Sequence, residues 1–247
     1  MTVFTAKWPI SFVETATSSS DLVRIAAAQG APEGTGFLVG RQTAGRGRRG
    51  RSWVSRQGGM YYSVLLKPSF PSRQWFGLSF LACLAIRDVI ASCLVNQSVG
   101  LKWPNDVMIA GWGKLCGILI EVSGDNLIVG TGVNIASVVP FSSEGLLPVA
   151  MDDFCGFKVT PHDLAIAYSV QLSHRYATYA ETGFAPVRSE WLSHCVHRNQ
   201  AMTVYCDNKV ISGVFTDLGD DGTLKLLADD GRTHHITTGD VELMGQV

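Results

Sequence analysis

The stretch VGLKWPNDVMIAGWGKLCGILIEVSGDNLIVGTGVNI, residues 99–135, decides the fold. It contains three β-like runs, at residues 99–103, 114–122 and 126–135. A turn with Gly111 and Gly113 separates the first two runs, and the turn at residues 123–126 separates the second and third. Such short connections favour antiparallel hairpins over parallel crossovers. The segment therefore predicts a largely antiparallel sheet.

Helical and β-like patterns flank this segment on both sides. We expect strands at residues 37–40 and 60–66, and helices at about 18–28, 78–94, 160–179 and 186–195. Serines before the first helical run are typical N-cap residues, and Thr160 followed by Pro161 marks the start of another helix. Residues 136–157 predict irregular structure because they are rich in Pro, Gly and Ser. Helices beside an antiparallel sheet indicate an α+β fold.

The sequence changes character from about Ala201. Short β-like runs at residues 202–206, 210–217, 223–227 and 232–236 alternate with Asp-Gly turns at 221–222 and 230–231. This pattern is typical of a small β-barrel. We therefore predict two domains, residues 1–197 and residues 198–247.

The composition excludes several classes of protein. The 247 residues are 46% hydrophobic and carry a net charge of −1, which argues against a chain whose overall field attracts nucleic acid. No apolar run reaches the roughly 20 residues that span a bilayer, and the N-terminus lacks a secretory signal pattern. The six cysteines show no C-x-x-C spacing, which disfavours a disulfide framework or a zinc ribbon. We expect a cytoplasmic protein without a membrane partner.

The loop GRGRRGR at residues 45–51 concentrates four arginines and three glycines in an otherwise neutral chain. Glycines let backbone N–H groups approach a ligand, and arginines bind phosphate or carboxylate oxygens in bidentate fashion. The loop fits a phosphate-bearing small molecule, a nucleic acid or a solvated surface. Its place between two predicted core strands favours a site. Because the four like charges repel one another, we expect the loop to need a negatively charged ligand to become ordered.

A second motif, KWPND at residues 102–106, follows a strand with a turn that presents an amide and a carboxylate. Asp106 is suited to hold Mg²⁺, and Asn105 is suited to orient a phosphate. The alternative is an Asx-type turn in which both side chains bind local backbone.

Two strands carry the remaining candidate residues. Lys114 opens the apolar run KLCGILIE at residues 114–121, either as a solvated edge residue or as a charge directed into a site. In GTGVNI, residues 130–135, small residues let a flat ligand or another backbone lie against the strand.

Together and in this order, the four motifs resemble those of the biotin protein ligases, which attach biotin to the carrier protein of acetyl-CoA carboxylase and its relatives. The resemblance covers nearly the whole chain, from about Ser18 to Val241. It implies an α+β, class II synthetase-like catalytic domain with a mixed, largely antiparallel sheet, followed by a small SH3-like β-barrel. The implied reaction activates biotin with ATP as biotinyl-5′-adenylate and then transfers it to a lysine of the biotin carboxyl carrier protein.

The resemblance also implies residue roles. The implied biotin-binding residues are Ser18, Ser19, Ser20, Gln42, Gly45, Arg46, Gly47, Arg48, Lys114, Gly117 and Gly132. The implied ATP-binding residues are Arg48, Arg51, Trp53, Asn105, Asp106, Lys114 and Asn134. Of these, Arg46, Arg48 and Lys114 would neutralise charge in catalysis. Asp106 would hold Mg²⁺.

This chain departs from the family pattern at two places. Family members usually have Ser-Thr-Asn where the ureido ring of biotin binds, and here the matching residues are 18–20, or 17–19 in a register shifted by one. Hydroxyls still donate to and accept from a ureido group. About 17 residues precede Ser18, so we expect no N-terminal DNA-binding domain and no DNA partner.

The implied partners are biotin, ATP and the biotin carboxyl carrier protein, and a homodimer is compatible with the resemblance. Three alternatives remain at this stage. A lipoate-type protein ligase shares the fold and the adenylate chemistry, a non-catalytic module would only bind biotin or nucleotide, and an RNA-binding protein would use the basic loop.

Overall fold

Seven strands form one mixed sheet in the larger part of the molecule. The computed structural model describes residues 8–94, 96–136, 148–206 and 209–243. The strands are β1 (Ile10–Ala16), β2 (Gly36–Gln42), β3 (Met60–Leu66), β4 (Val99–Lys102), β5 (Asp106–Ile109), β6 (Gly113–Ser123) and β7 (Asn126–Val133). Their order is β1-β2-β3-β7-β6-β5-β4, with β1 parallel to β2 and the other described neighbours antiparallel.

The described residues form four α-helices around this sheet: α1 (Ser19–Ala28), α2 (Gly77–Cys93), α3 (Pro161–Thr182) and α4 (Phe184–Ser193). Ser18 caps α1 by accepting a hydrogen bond from the backbone N–H of Asp21, and Thr160 caps α3 in the same way through Asp163. Helix α2 is buried around most of its circumference because α3, α4 and the sheet all pack against it. None of these helices is long and apolar enough to cross a membrane.

The central strand β3 is buried on both faces of the sheet. Tyr62 and Val64 point into the main hydrophobic core, to which α2 and α3 contribute. Leu65 instead packs with Val23 of α1 and Ile128 of β7 on the opposite face. Successive side chains of a strand point to opposite faces of the sheet. Those of β3 therefore pack against α2 and α3 on one face and against α1 on the other.

The remaining strands form a second, antiparallel sheet. They are β8 (Ala201–Cys206), β9 (Lys209–Leu218), β10 (Leu224–Leu227), β11 (Thr233–Ile236) and β12 (Asp240–Leu243), in the order β11-β10-β9-β8-β12. This sheet packs on the large one, where the indole N–H of Trp103 donates to the carbonyl of Gly222 at 3.2 Å. The guanidinium of Arg188 on α4 likewise donates to the carbonyl of Leu218 at 2.8 Å.

The α+β fold class, with a largely antiparallel sheet and a C-terminal sheet domain, is confirmed. Strands β1, β5 and β12 were not predicted. The KWPND turn joins β4 to β5 in a hairpin, so β5 lies between the first two strands that the sequence predicted in this segment. Of the segment predicted to be irregular, residues 137–147 lie outside the described residues. The domain limit between residues 197 and 198 stays a prediction.

Candidate active site

A cavity of about 190 Å³ opens on the face of the large sheet that carries α1. Its walls come from the start of α1, the arginine loop, the KWPND turn and strands β6 and β7. The predicted site residues that line it are Ser18, Ser19, Ser20, Gln42, Arg46, Gly47, Arg48, Arg51, Trp53, Asn105, Asp106, Lys114, Gly117 and Gly132. The fold thus brings together residues from all of the predicted motifs.

Hydroxyl groups form one end of the cavity. The Oγ of Ser19 lies 2.7 Å from the Oγ of Ser63, and the Oγ of Ser20 lies 3.1 Å from the same atom. The backbone N–H of Ser19 donates to Oε1 of Gln42 at 2.9 Å, and Nε2 of Gln42 donates to Ser55 at 2.8 Å. The Gln42 amide is therefore held in one orientation, beside a cluster of groups that can both donate and accept hydrogen bonds.

Two facing glycines form a flat part of the cavity floor. Gly117 of β6 pairs with Gly132 of β7, and the indole ring of Trp53 packs over both. A Cβ atom on Gly132 would lie 2.7 Å from Cε2 of the indole, and one on Gly117 would lie 2.9 Å from Cζ3. A larger side chain at either position would therefore displace the ring.

Opposite charges meet beside this floor. The Nζ of Lys114 lies 2.6 Å from Oδ1 of Asp106 and 5.5 Å from the centroid of the Trp53 ring. Lys114 thus points into the cavity, which is the second of its two sequence interpretations. Among the described residues that line the cavity, Asp106 is the one carboxylate.

Arg48 and Asn105 complete this charged end. Nη1 of Arg48 donates to Oδ1 of Asn105 at 3.2 Å, while the amide of Asn105 donates to the carbonyl of Ile118 at 2.6 Å. Burial lowers the pKa of Arg48, and the nearby carboxylates of Asp106 and Asp240 oppose this shift. Arginine starts from so high a pKa that the guanidinium stays charged at neutral pH.

Arg46 lines the cavity but pairs outside it. Its Nη2 donates to Asp21 at 2.8 Å and to Glu121 at 3.3 Å, and Arg24 binds the same two carboxylates. Burial alone would raise the pKa of Asp21, but hydrogen bonds, first that from Arg46, hold it well below its usual range.

The rest of the arginine loop contacts the second sheet. Nη2 of Arg48 donates to Oγ1 of Thr238 at 3.1 Å, Nη1 of Arg49 donates to the carbonyl of Tyr205 at 3.0 Å, and Nη2 of Arg51 donates to Oδ1 of Asp240 at 2.6 Å. Arg49 and Arg51 also share the carboxylate of Asp240, whose Oδ2 lies 3.6 Å from Nη1 of Arg49. These acceptors relieve the repulsion that the sequence alone predicts between the like charges of the loop.

The structure also separates some predicted residues from the cavity. Asn134 does not line it, and its described backbone bonds run to Leu115 and Met151. Gly45 is buried behind Gln42, where an added Cβ would lie 3.0 Å from Nε2 of that side chain. Lys102 of the KWPND motif points to the second sheet and donates to the carbonyl of Val241 at 2.7 Å.

Sequence analysis missed several residues of the site. Ser63 joins the serine cluster, and the cavity walls also include Ser52 and Tyr61. Gly130 and Thr131 of the predicted GTGVNI motif line the cavity as well, although no individual role was predicted for them. The available signal for Ser63 was that it is the one hydroxyl-bearing aliphatic residue in the otherwise apolar and aromatic run MYYSVLL at residues 60–66. Strand residues two apart share a face, so Ser63 lies on the same face as Tyr61, which lines the cavity.

Comparison with known proteins gives a consistent result. Residues 16–136 match the biotin/lipoate A/B protein ligase family, and residues 200–244 match the biotin protein ligase C terminal domain. A biotin–[acetyl-CoA-carboxylase] ligase of Paracoccus denitrificans is 31% identical over 228 residues, which are 87% of this chain and 93% of that protein.

Solved structures agree with these matches. The biotin protein ligase of Aquifex aeolicus in complex with biotin and ATP has a TM-score of 0.83 at 24% identity, over 95% of this chain and 98% of that one. The biotin protein ligase of Leishmania major in complex with biotinyl-5-AMP has a TM-score of 0.66 at 25% identity, over 93% of this chain and 98% of that one. From its sequence identity and its coverage of the relatives, we conclude that the chain belongs to the biotin protein ligase family of enzymes.

Proposed function

We propose that this enzyme activates biotin with ATP to biotinyl-5′-adenylate and transfers the biotinyl group to a lysine of the biotin carboxyl carrier protein. One observation carries the proposal. A single cavity has neutral hydroxyls at one end and the side chains of Arg48, Lys114 and Asp106 at the other. A ligand with a ureido ring at one end and a carboxylate at the other matches this polarity.

In the proposed complex, the hydroxyls of Ser19 and Ser20 bind the ureido ring, and the ring system lies beside the Trp53 indole that covers Gly117 and Gly132. The carboxylate then reaches Lys114, where an oxygen attacks the α-phosphorus of ATP. A P–O bond forms and the bond to pyrophosphate breaks. Lys114 and Arg48 stabilise the negative charge that builds on the phosphoryl oxygens, so positioning and charge supply most of the catalysis.

The second step needs no nucleophile from the enzyme. An amine of the carrier lysine attacks the carbonyl of the mixed anhydride, an amide bond forms, AMP leaves and the amine releases a proton. The Trp53 indole that covers the glycine floor excludes water from the anhydride, which protects it from hydrolysis before the carrier arrives. In the same proposal, Arg51, Trp53 and Asn134 belong to the nucleotide side.

The residues present fit a Mg²⁺ ion that is bound mainly through ATP. Asp106 supplies one carboxylate and Asn105 lies next to it, which suits an ion that keeps several waters and phosphate oxygens as ligands. The ion would neutralise phosphate charge. Asp106 and Asn105 would hold it.

The carrier protein and the compartment extend the proposal. The Paracoccus relative is named for acetyl-CoA carboxylase, and a carrier protein of that class is the acceptor we propose. The compartment we propose is the reducing cytoplasm, because the six cysteines are scattered in the sequence without paired spacing.

Pyrophosphate exchange tests the proposal directly. The purified protein is incubated with ATP, Mg²⁺ and labelled pyrophosphate, with biotin, with lipoate or without either acid. We expect label in ATP with biotin alone. Exchange with lipoate would point to the lipoate-type ligase, and binding of biotin without any exchange would point to a non-catalytic module. No exchange together with RNA binding would favour a role of the basic loop in RNA binding.

A further inference from the structure

The arginine loop and strand β12 meet although they are far apart in the sequence. One carboxylate, that of Asp240, lies 2.6 Å from Nη2 of Arg51 through Oδ1 and 3.6 Å from Nη1 of Arg49 through Oδ2. Both of its oxygens therefore face the loop. The carboxylate thus forms one short ion pair with Arg51 and one longer ion pair with Arg49.

The same loop directs Arg48 into the cavity. Arg48 spans from Thr238 on the second sheet to Asn105 of the KWPND turn, at 3.1 and 3.2 Å. Arg48 comes directly before the two arginines that Asp240 contacts, since Arg49 follows it at once and Arg51 comes three residues later. Arg49 has a left-handed backbone conformation with φ of 56°, so the loop turns sharply at this point and its backbone geometry depends on the neighbouring contacts.

We propose that Asp240 is a positioning residue for the ligation reaction, because it docks Arg49 and Arg51 on the second sheet and so places Arg48 over the phosphate end of the cavity. The expected effect of Asp240 on the reaction with ATP rests on the proposed function. The docking of the arginine loop on the second sheet does not depend on it. Asp240 does not line the cavity, so it acts on the phosphates through the arginines.

The strand supplies a matched control. Glu242 lies two residues further along β12, on the same face of the strand, and its Oε2 accepts from the hydroxyl of Tyr205 at 2.7 Å rather than from the loop. The variants Asp240→Asn and Glu242→Gln each remove one negative charge from this strand. Asp240→Glu keeps the charge and should restore the docking.

The first measurement uses limited trypsin digestion, with the cuts after Arg48, Arg49 and Arg51 quantified by mass spectrometry. Asp240 and Arg51 are partly exposed, so the contact is worth at most about a fivefold change in population. We expect cleavage of the Asp240→Asn loop to be about fivefold faster than in the wild type, and Glu242→Gln and Asp240→Glu to match the wild type. Because salt screens exposed charges, 0.5 M NaCl should speed cleavage in the wild type and leave Asp240→Asn unchanged.

The second measurement is biotin-dependent pyrophosphate exchange on the same proteins. We expect Asp240→Asn to raise the KM for ATP about three- to fivefold while the Kd for biotin, from calorimetry, and the melting temperature stay near wild type. Equal cleavage and equal KM for ATP in Asp240→Asn and Glu242→Gln would overturn the proposal. A fall in melting temperature together with a weaker affinity for biotin would also overturn it, because it would show a general structural role. If the wild type itself shows no biotin-dependent exchange, the proposed function fails, while the trypsin and salt results still decide the docking.

Discussion

At the scale of single residues, the Lys114–Asp106 ion pair is the most informative contact of the site. Both side chains are mostly buried, at 28% and 15% exposure, so the two charges balance each other in the cavity wall. A phosphate group that binds Lys114 has to compete with Asp106. The pair therefore links the lysine that we assign to the α-phosphate with the carboxylate that we assign to Mg²⁺.

Replacing Lys114 by methionine should abolish adenylate formation without unfolding the protein. Methionine keeps much of the aliphatic packing against Trp53 but removes the charge from the transition state, a loss of about 3–4 kcal/mol, or at least a hundredfold in rate. The measurement is biotin-dependent pyrophosphate exchange, with circular dichroism to verify the fold.

Lys225→Met is the control for this variant, because Lys225 lies in strand β10 and outside the cavity. It should keep the wild-type exchange rate. Wild-type exchange in a folded Lys114→Met protein would contradict the assignment of Lys114.

Residue types were predictable from the sequence, whereas their partners were not. The cluster of arginines and the KWPND turn stand out in a neutral chain, so Arg48, Asn105 and Asp106 could be found without a structure. That Arg46 pairs with Glu121, 75 residues away, depends on how α1 and β6 meet in space. Such a contact has no local pattern in the sequence.

At the scale of elements, the facing glycines of β6 and β7 leave room for the Trp53 indole, which packs over both in the cavity. Replacing Gly132 by valine should weaken biotin binding at least tenfold, because its side chain would occupy the floor and displace the Trp53 indole. Valine suits a β-strand, so the sheet should tolerate it. The measurement is titration calorimetry with biotin, together with tryptophan fluorescence to follow the indole.

Gly156→Val is the matching control, since a Cβ at Gly156 would meet nothing within 4 Å. Its affinity for biotin should equal that of the wild type. If Gly132→Val bound biotin as tightly as the wild type, the glycine floor would not be part of the biotin site.

The segment that joins the two sheets contains a buried histidine. His197 is 5% exposed, and neither ring nitrogen has a hydrogen-bond partner among the described residues. Burial, with a smaller contribution from the charge of Lys102, lowers the pKa of His197 to about 4. The imidazole is therefore neutral in the folded protein at physiological pH.

This burial predicts a loss of stability in mild acid. Between pH 6.5 and pH 4 the unfolded chain binds a proton that the folded protein excludes, so the free energy of unfolding should fall by up to roughly 3 kcal/mol over that window. Above pH 6.5 this contribution should be complete. Urea unfolding at pH 7, 5.5 and 4.5 measures it.

The variant His197→Gln should flatten the dependence of unfolding on pH, whereas replacement of the exposed His174 by glutamine should leave it as in the wild type. An equal slope in wild type and His197→Gln would show that other groups cause the acid sensitivity.

Long periodic elements were predictable, and short strands were not. Helices α2 and α3 were found within three residues of their ends because their apolar and capping patterns extend over many residues. Strand β5 has four residues, and its pairing between β4 and β6 decides that it is a strand. Tertiary pairing rather than local propensity defines such elements.

At the scale of the whole molecule, a tight turn secures the second sheet against the first. Gly222 has φ of +76°, and an added Cβ would lie 2.8 Å from Phe76 and 2.9 Å from Phe80, at the start of α2. Gly231 has φ of +79° in the next Asp-Gly turn, but nothing lies within 4 Å of its Cβ position. The two glycines thus share a backbone conformation and differ in what surrounds them.

Gly222→Ala should destabilise the protein more than Gly231→Ala. The positive φ costs about 1 kcal/mol in both variants, and the clash with two phenylalanines adds about 1–3 kcal/mol in Gly222→Ala alone. Urea unfolding of both variants measures the difference. Equal losses of unfolding free energy in the two variants would mean that Phe76 and Phe80 move to accommodate the added methyl group at no energetic cost.

The two sheets were visible in the sequence as a change from long apolar runs to short runs with Asp-Gly turns. Their packing on each other was not, because the contacts between Trp103 and Gly222 and between Lys102 and Val241 join residues 119 and 139 positions apart. The cavity depends on the local motifs and on the packing of the two sheets, since the motifs supply its chemical groups and the packing positions its arginine loop.

The docking of the arginine loop also bears on how the protein is made. Most of the cavity is encoded before residue 135, whereas Asp240 is synthesised 189 residues after its partner Arg51. A ribosome thus completes the serines, the glycine floor and Lys114 long before strand β12 exists. During translation, the residues of the cavity are therefore complete early, but the arginine loop gains its Asp240 anchor only when β12 has emerged.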